Sequence, residues 1–581
     1  MRQDSGHTRS VWMRDDATTD AGAFAPLAAD AECDVCVVGA GMAGMSVAYQ
    51  LAREGKRVIV LDDGPVGGGE TSRTTAHLAS YQDDGVSELV KAFGEAGARI
   101  AVGSHAAAVD EIERVAREEG IECEFARVDA WLFLASTETE QYLDEELAAS
   151  RRAGLTVEKH PRVEGLAFDT GPALRFGRQA QFDPARYLAG LARAIVARGG
   201  RIHTGTHASA ITDGTPCTVK TASGNVIRAQ AVAVCTNTPV NDWVTMHTKQ
   251  APYRTYVVGF SVPAGRIPAA LYWDTADPYH YVRLQHGPNA TEGGEDVLIV
   301  GGEDHKTGQA DDMDERFRCL EEWTRARFPQ VKDVAFRWSG QVMEPADYMG
   351  FIGRNPGNDH VFIATGDSGQ GMTHGTIAGM LVRDLVLGRP NEWAELYSPS
   401  RKPTENITVA AEYAKENANV ALQYADWLTP GDVASVDKIE PGTGAVLRAG
   451  AHKLAAYRAD DGALHIRSAV CPHMQCVVDW NPAEKSWDCP CHGSRFTATG
   501  RVINGPANTD LAMIEPKKGQ ASRDDERAKQ DGENARGRET ERPIRRGSGI
   551  ADVPRPGRAP APEDPPGTKV QGDKLGDVEN K

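Results

Sequence analysis

Several features are missing from this sequence of 581 residues, and each absence excludes a class of function. No apolar run approaches the ~20 residues that cross a bilayer. Met1-Arg2-Gln3-Asp4 is followed by no apolar stretch of the kind a secretory signal needs, so a cytoplasmic location is expected. Positive charge is in deficit: 64 Lys and Arg against 82 Asp and Glu give a formal net charge of −18, which argues against a general nucleic-acid surface. None of the ten cysteines falls between Cys319 and Cys471, yet four crowd between Cys471 and Cys491. Grouped cysteines in a cytosolic chain point to metal or redox work rather than a disulfide framework. No histidine follows His492, and no aromatic residue follows Pro516. The tail 517–581, dominated by Arg, Asp, Glu, Gly and Pro, cannot bury enough apolar surface to offset its ordering entropy and is expected to be disordered.

With 40% hydrophobic residues, the chain has material for sizeable cores, and its length exceeds one core, so two or three domains are expected. Cys33-Asp34-Val35-Cys36-Val37-Val38, a glycine turn, Met45 to Glu54 and Arg57 to Leu61 spell strand, turn, helix, strand. Amphipathic helices are expected at Ala106 to Glu119 and Pro184 to Arg198, the second feeding a strand at Arg228 to Cys235. Tyr253 to Val300 is rich in β-branched and aromatic residues, as a substrate-side sheet would be. Val361-Phe362-Ile363-Ala364 precedes helical periodicity from Thr373 to Leu387. Tyr413, Val420, Tyr424 and Trp427 mark a connecting helix, and short strands and turns follow from about Asp432.

Gly39-Ala40-Gly41-Met42-Ala43-Gly44 sits where a dinucleotide site requires it. The first glycine makes the turn, the second lets a pyrophosphate approach the backbone, and the third packs helix on strand. Asp62 closes the next strand at the position for a ribose hydroxyl; the plain alternative is a glycine turn of no consequence. Further motifs are Thr71-Ser72-Arg73-Thr74-Thr75-Ala76-His77-Leu78, Phe182-Asp183-Pro184, Ala231 to Asn237, Phe351-Ile352-Gly353, Ala364-Thr365-Gly366 and Gly369-Gln370-Gly371-Met372-Thr373. With these, the chain from about Ala31 to Arg401 resembles the glycine oxidase and D-amino-acid oxidase family of FAD enzymes. The resemblance implies FAD contacts from the glycine turn, Asp62, Thr71, Arg73, Thr74, Thr75, Ala76, His77, Thr236, Gly366, Gly369, Gly371, Met372 and Thr373. The last segment would set a helix N-terminus beside the flavin pyrimidine, where its dipole stabilises negative charge. Any single residue from Thr71 to His77 is equally readable as part of a helix start capped by Thr and Ser, while the segment as a whole favours cofactor contact.

Cys471-Pro472-His473-Met474-Gln475-Cys476 and Cys489-Pro490-Cys491-His492-Gly493-Ser494 each bring two cysteines and one histidine together within six residues. They resemble the cluster loops of Rieske proteins, which implies Cys471, His473, Cys489 and His492 as ligands of a [2Fe-2S] cluster. The resemblance also implies a disulfide between Cys476 and Cys491 and a capping loop at Gly505-Pro506-Ala507. Neutral imidazole ligands raise the potential to between about −150 and +300 mV. Zinc is the competing reading; it accounts for four ligands but not for the second cysteine pair or Gly493-Ser494. Met474-Gln475 stands where Leu-Gly is usual, and Phe496 where the high-potential proteins carry Tyr. A missing hydroxyl bond to sulfur implies a potential below the top of that range.

The expected architecture is an α/β (α+β) Rossmann-type FAD domain with a β-rich substrate domain, followed by a small all-β Rieske domain. An extension (1–30) precedes an oxidoreductase domain (31–400) with cofactor parts at about 31–85, 175–240 and 335–400 and substrate or cap parts at about 86–174 and 241–334. A helical linker (401–431), the Rieske domain (432–516) and the tail (517–581) follow. A flavin takes two electrons as hydride and a cluster carries one at a time, so the first reading is oxidation of an amine or amino acid, the class implied by the resemblance, with electrons passing singly to an unknown acceptor. Tyr281, Arg283, His305 and His374 are the candidate substrate-side residues, since a substrate carboxylate needs an Arg or comparable donor; each is equally readable as structural. The other readings are an NAD(P)H-linked reductase, which lacks a second strand-turn-helix at Gly301-Gly302, and a non-catalytic electron carrier or redox sensor. A Rieske oxygenase would need histidines after the cluster domain.

Overall fold

In the computed structural model, which describes residues 5–13, 24–242, 244–287, 294–402 and 406–514, the run Ala31–Val38 lies at the centre of an eight-stranded sheet. It pairs in parallel with Val226–Val234 on one side and Val58–Leu61 on the other. Arg201–His203 extends the sheet beyond Val58–Leu61, and Val361–Thr365 then Phe351–Arg354 extend the other flank. A parallel strand is covered on both faces, and Val58–Leu61 and Val361–Thr365 are accordingly buried at every position. Helices Met42–Arg53 and Gly371–Val386 pack against each other over this sheet. Helix Pro184–Ala197 starts where expected: the Asp183 carboxylate accepts from the amides of Ala185 and Arg186, and Pro184 occupies the first turn.

A second sheet has nine strands and includes the region expected on the substrate side. Val334–Pro345, Gln250–Pro263, Glu295–Lys306, Tyr281–Gln285, Leu271–Asp274, Ala126–Phe133, Ala173–Gln181 and His77–Leu78 lie side by side, with Val157–His160 also on Ala173–Gln181. Ala173–Gln181 and Val334–Pro345 thus belong to this sheet, and the expected divisions at 175 and 335 cut through it. The expected helix at Ala106 to Glu119 is the last third of a longer one, Val86–Glu118, interrupted at Gly94, whose φ of 69° only glycine adopts freely.

The connecting helix is Ile407–Gln423, continued by a 3-10 turn at Tyr424–Leu428. Beyond it, Thr443–Ala449, His452–Arg458 and Leu464–Ser468 form one antiparallel sheet, and Asp479–Asn481, Ser486–Asp488, Arg495–Thr497 and Val502–Asn504 a second. The extension is also used: Trp12 is fully buried and its indole N–H donates to the Thr74 carbonyl. The tail 517–581 lies outside the described residues.

Candidate functional site

The glycine turn has the shape a pyrophosphate needs. Gly39 sits at φ 105°, and a Cβ there would fall 2.3 Å from the Cys235 carbonyl oxygen; at Gly44 a Cβ would fall 1.8 Å from the Gly39 oxygen. Helix and strand therefore approach closer than any side chain allows. Gly41, Met42 and Ala43 open into a cavity, presenting the helix N-terminus to it, and Asp62 lines the same cavity from the end of its strand. Asp62 is oriented by the Ala40 amide on Oδ2 (2.5 Å) and the Gly64 amide on Oδ1 (2.7 Å). Glycines, helix N-terminus and carboxylate in one cavity fit a dinucleotide.

Most of the other expected cofactor contacts reach this cavity: Thr71, Arg73, Thr74, Thr75 and His77 from one segment, Thr236 from another, and Gly366, Gly369, Gly371 and Met372 from the turn into the last helix. Gly44, Ala76 and Thr373 do not. Gly44 is the helix-strand contact, Ala76 gives its carbonyl to Arg283 (2.8 Å), and the Thr373 hydroxyl bonds His105 Nδ1 (2.8 Å). His77 is held by Thr75 Oγ1 (3.0 Å) and the Val282 carbonyl (3.4 Å), and burial pushes its pKa down to about 3, so it is a neutral ring.

Of the substrate-side candidates, Tyr281 and His374 line the cavity. Tyr281 shares a 2.6 Å hydrogen bond with Thr255, and His374 keeps a buried Nε2 without a hydrogen-bond partner. Arg283 and His305 are not on its wall. Arg283 spends its guanidinium on the carbonyls of Thr75, Ala76 and Phe182, fixing the strained turn where Ala76 has φ 60°. His305 lies against Tyr256 and bonds its hydroxyl (2.9 Å). In their place the fold brings Asp83, Trp273, Tyr279, Asp304 and Glu344 to the cavity, residues from five separate segments. Burial raises Asp83 to about 6 against its bonds from Tyr279 and Gln370, and raises Asp304 to about 7.

In the second site, Cys471 and Cys489 are in hydrogen-bonding contact and the rings of His473 and His492 stand 5.0 Å apart. His492 Nδ1 is buried with no hydrogen-bond partner. Two thiols side by side and two imidazoles side by side, with an orphaned ring nitrogen, fit a [2Fe-2S] cluster. Cys476 and Cys491 are joined by a disulfide. The connecting segment buttresses the first loop: Tyr424 and Trp427 donate to the carbonyls of Met474 (2.7 Å) and Gln475 (3.0 Å).

The two sites share a boundary. Val502 to Gly505, Ala507 and Asn508, from the last strand and the third loop, line the dinucleotide cavity itself, and Asn508 donates to the Ala208 carbonyl (3.0 Å). His473 and His492 are each only 4% exposed, covered by His247, whose ring is 4.9 Å from one and 6.2 Å from the other. His247 Nε2 bonds the Pro239 carbonyl (3.1 Å), one residue before Val240 on the cavity wall. Around this contact runs a buried chain of charge. Glu484 pairs with Arg73 (2.9 Å) and Arg254 (4.0 Å), and Arg495 with Asp488 (3.1 Å) and Glu70 (3.5 Å). His7 and Thr8 of the N-terminal extension also donate backbone amides to Glu484 (2.9 and 3.1 Å). Arg73 thus serves the junction as well as the cavity.

Residues 34–385 match the model of the FAD dependent oxidoreductase family and residues 429–515 that of the Rieske [2Fe-2S] domain. The chain is 31% identical over 507 residues to a putative Rieske 2Fe-2S iron-sulfur protein, YhfW, of Bacillus subtilis (strain 168), covering 86% of this chain and 96% of that protein. It is 28% identical over 374 residues to gamma-glutamylputrescine oxidoreductase of Escherichia coli (strain K12), covering 61% and 84%. Glycine oxidase from Geobacillus kaustophilus superposes with a TM-score of 0.54 at 19% identity, over 64% of this chain and 99% of that one, and shares the fold. No helix among the described residues is long and apolar enough to cross a membrane.

Proposed function

The chain belongs to the FAD-dependent oxidoreductase family and carries a C-terminal Rieske [2Fe-2S] domain, and on that premise we propose that it oxidises an amine or amino acid and passes the electrons one at a time through its own cluster. FAD supplies a two-electron acceptor for the hydride that leaves a carbon next to nitrogen, with a C=N bond formed in the substrate, and the cluster supplies a one-electron exit.

The observation that carries this reading is the shared boundary. Val502 to Gly505, Ala507 and Asn508 of the Rieske domain form part of the wall of the same cavity that Gly39 and Asp62 line, so the cluster domain is built into the dinucleotide cavity. With both imidazoles covered by His247, the cluster's histidine side faces the flavin domain and not an external partner. His77, Thr255 and Tyr281 form the floor on which substrate would rest, and Arg283 acts as a positioning residue by clamping the carbonyls that set His77. The reductase alternative loses support from Gly301-Gly302: both lie inside the antiparallel strand Glu295–Lys306, with no helix opening after them. The gamma-glutamylputrescine oxidoreductase relative adds weight to an amine substrate.

The test is anaerobic titration with a panel of amines and amino acids, following flavin absorbance and the cluster EPR signal together. Bleaching of the flavin with appearance of the reduced-cluster signal is expected. Bleaching by NADH alone would favour the reductase, and no response to either class would favour a carrier.

A further inference from the structure

Resting on that reading, we infer that the substrate end of the cavity is built to take an alkylammonium cation, and to reject a substrate that carries a carboxylate beside the oxidised carbon. Three observations converge on it. The first is an aromatic wall: the ring centroids of Trp273 and His77 are 5.8 Å apart, those of His77 and Tyr281 5.9 Å, and those of Tyr281 and Tyr279 5.6 Å. Aromatic faces attract a desolvated cation through their quadrupoles.

The second is the sign of the surrounding charge. Asp83, Asp304, Glu344 and Asp367 all reach the cavity, from four different segments. Asp83 accepts from the Tyr279 hydroxyl (2.9 Å), which ties this carboxylate to the aromatic wall, and Glu344 accepts from Ser368 (2.5 Å). Asp304 Oδ1 is buried with no hydrogen-bond partner. A buried acceptor of this kind is a cost to the empty protein and a ready site for an N–H donor.

The third is the lack of an opposing cation. Among the described residues lining the cavity, Arg73 is the sole arginine or lysine, and it is engaged by Glu484 at the Rieske junction. Arg283, the residue type that would bind a substrate carboxylate bidentately, faces backbone carbonyls instead. A carboxylate entering here would meet like charge with no partner, whereas an ammonium would relieve the mutual repulsion of the acids. Burial holds Asp83, Asp304 and Asp367 above the ordinary carboxylate range, for Asp304 against a hydrogen bond from Thr255 and the charge of Arg316, which is not on the cavity wall.

Matched pairs on the holoprotein provide the test: putrescine against ornithine and cadaverine against lysine, each pair differing by one carboxylate, with anaerobic flavin bleaching as the first readout. Displacement of the flavin spectrum by tetramethylammonium against benzoate, neither of them oxidised, is the second. The expected result is bleaching by the amine at concentrations at least ~100-fold below those needed for its carboxylated partner, because like-charge contacts are strongly unfavourable. Tetramethylammonium should shift the spectrum and benzoate should not. In Asp304→Asn and Asp83→Asn the amine preference should fall by about tenfold or more, and Asp304→Glu should restore part of it. Bleaching by the amino acids in preference to the amines would overturn the inference while leaving the oxidase-like reading in place. No bleaching by either, with the ammonium ion still binding selectively, would overturn that reading and keep the cation site. Selective binding of benzoate would overturn the cation site whichever compounds are oxidised, and the unmutated panel decides even if a variant does not fold.

Discussion

Replacing Glu484 by Gln removes the negative charge at the centre of the junction between the two redox domains. Arg73 and Glu484 are both completely buried, and the carboxylate also accepts from the amides of His7 and Thr8. Burial alone would raise the Glu484 pKa, but the guanidinium groups of Arg73, Arg254 and Arg495 outweigh it and hold the carboxyl well below the ordinary range. Breaking such a pair from one side leaves a buried guanidinium uncompensated, which costs about 3–5 kcal/mol, or roughly two to four decades in the ratio of docked to undocked protein. A depressed folded-state pKa contributes stability that is complete above the unfolded value of ~4.3 and is lost as pH falls through the folded value. The deficit of Glu484→Gln should therefore be constant from neutral pH down to about 5 and should shrink below about 4. Thermal unfolding with flavin fluorescence and cluster circular dichroism as separate probes measures it. The variant should show earlier and non-coincident transitions, and adding Arg73→Met should cost less than the sum of the single changes. A variant as stable as the parent, or a deficit that grows in acid, would refute the reasoning.

Other expectations concern the cluster and its contact with the flavin side. His247→Leu should lower the rate of cluster reduction relative to flavin bleaching in the same stopped-flow trace, since the ring fills the space between the cluster imidazoles and the Pro239 carbonyl. Phe496, fully buried on the strand Arg495–Thr497, offers no hydroxyl to the cluster; Phe496→Tyr should shift the redox titration upward, and no upward shift would count against that account. Cys476→Ser should destabilise the Rieske domain by about 3 kcal/mol, as expected for opening a loop of this size; the separation is 15 residues, and denaturant titration followed by cluster absorbance checks it.

Local chemistry was legible in the sequence and long-range convergence was not. Gly39 to Gly44 needs a strand, a turn and a helix within a few residues, and the Cys-His pairs each need one loop, so short-range pattern together with the two family resemblances pointed to both candidate sites. Asp183-Pro184 marked a helix start for the same reason. Arg283 and His305 were expected on the substrate side because of their side-chain chemistry, but which way a strand residue faces depends on sheet register: Arg283 turned toward Thr75 and Ala76, some two hundred residues away. Asp83, Asp304 and Glu344 have no common motif and line one cavity from a loop and two strands far apart in the chain. The Arg73–Glu484 pair spans 411 residues, and no periodicity records it. The apolar Val11-Trp12-Met13 in the extension is a visible sign that this stretch is buried.

On this reading, flavin and cluster exchange electrons within one chain. Rapid-freeze EPR after a single anaerobic flavin reduction, repeated over a wide range of protein concentrations, tests it most directly. One first-order rate of cluster reduction at every concentration is predicted. A rate proportional to protein concentration, or a cluster that stays oxidised beside a reduced flavin, would contradict it.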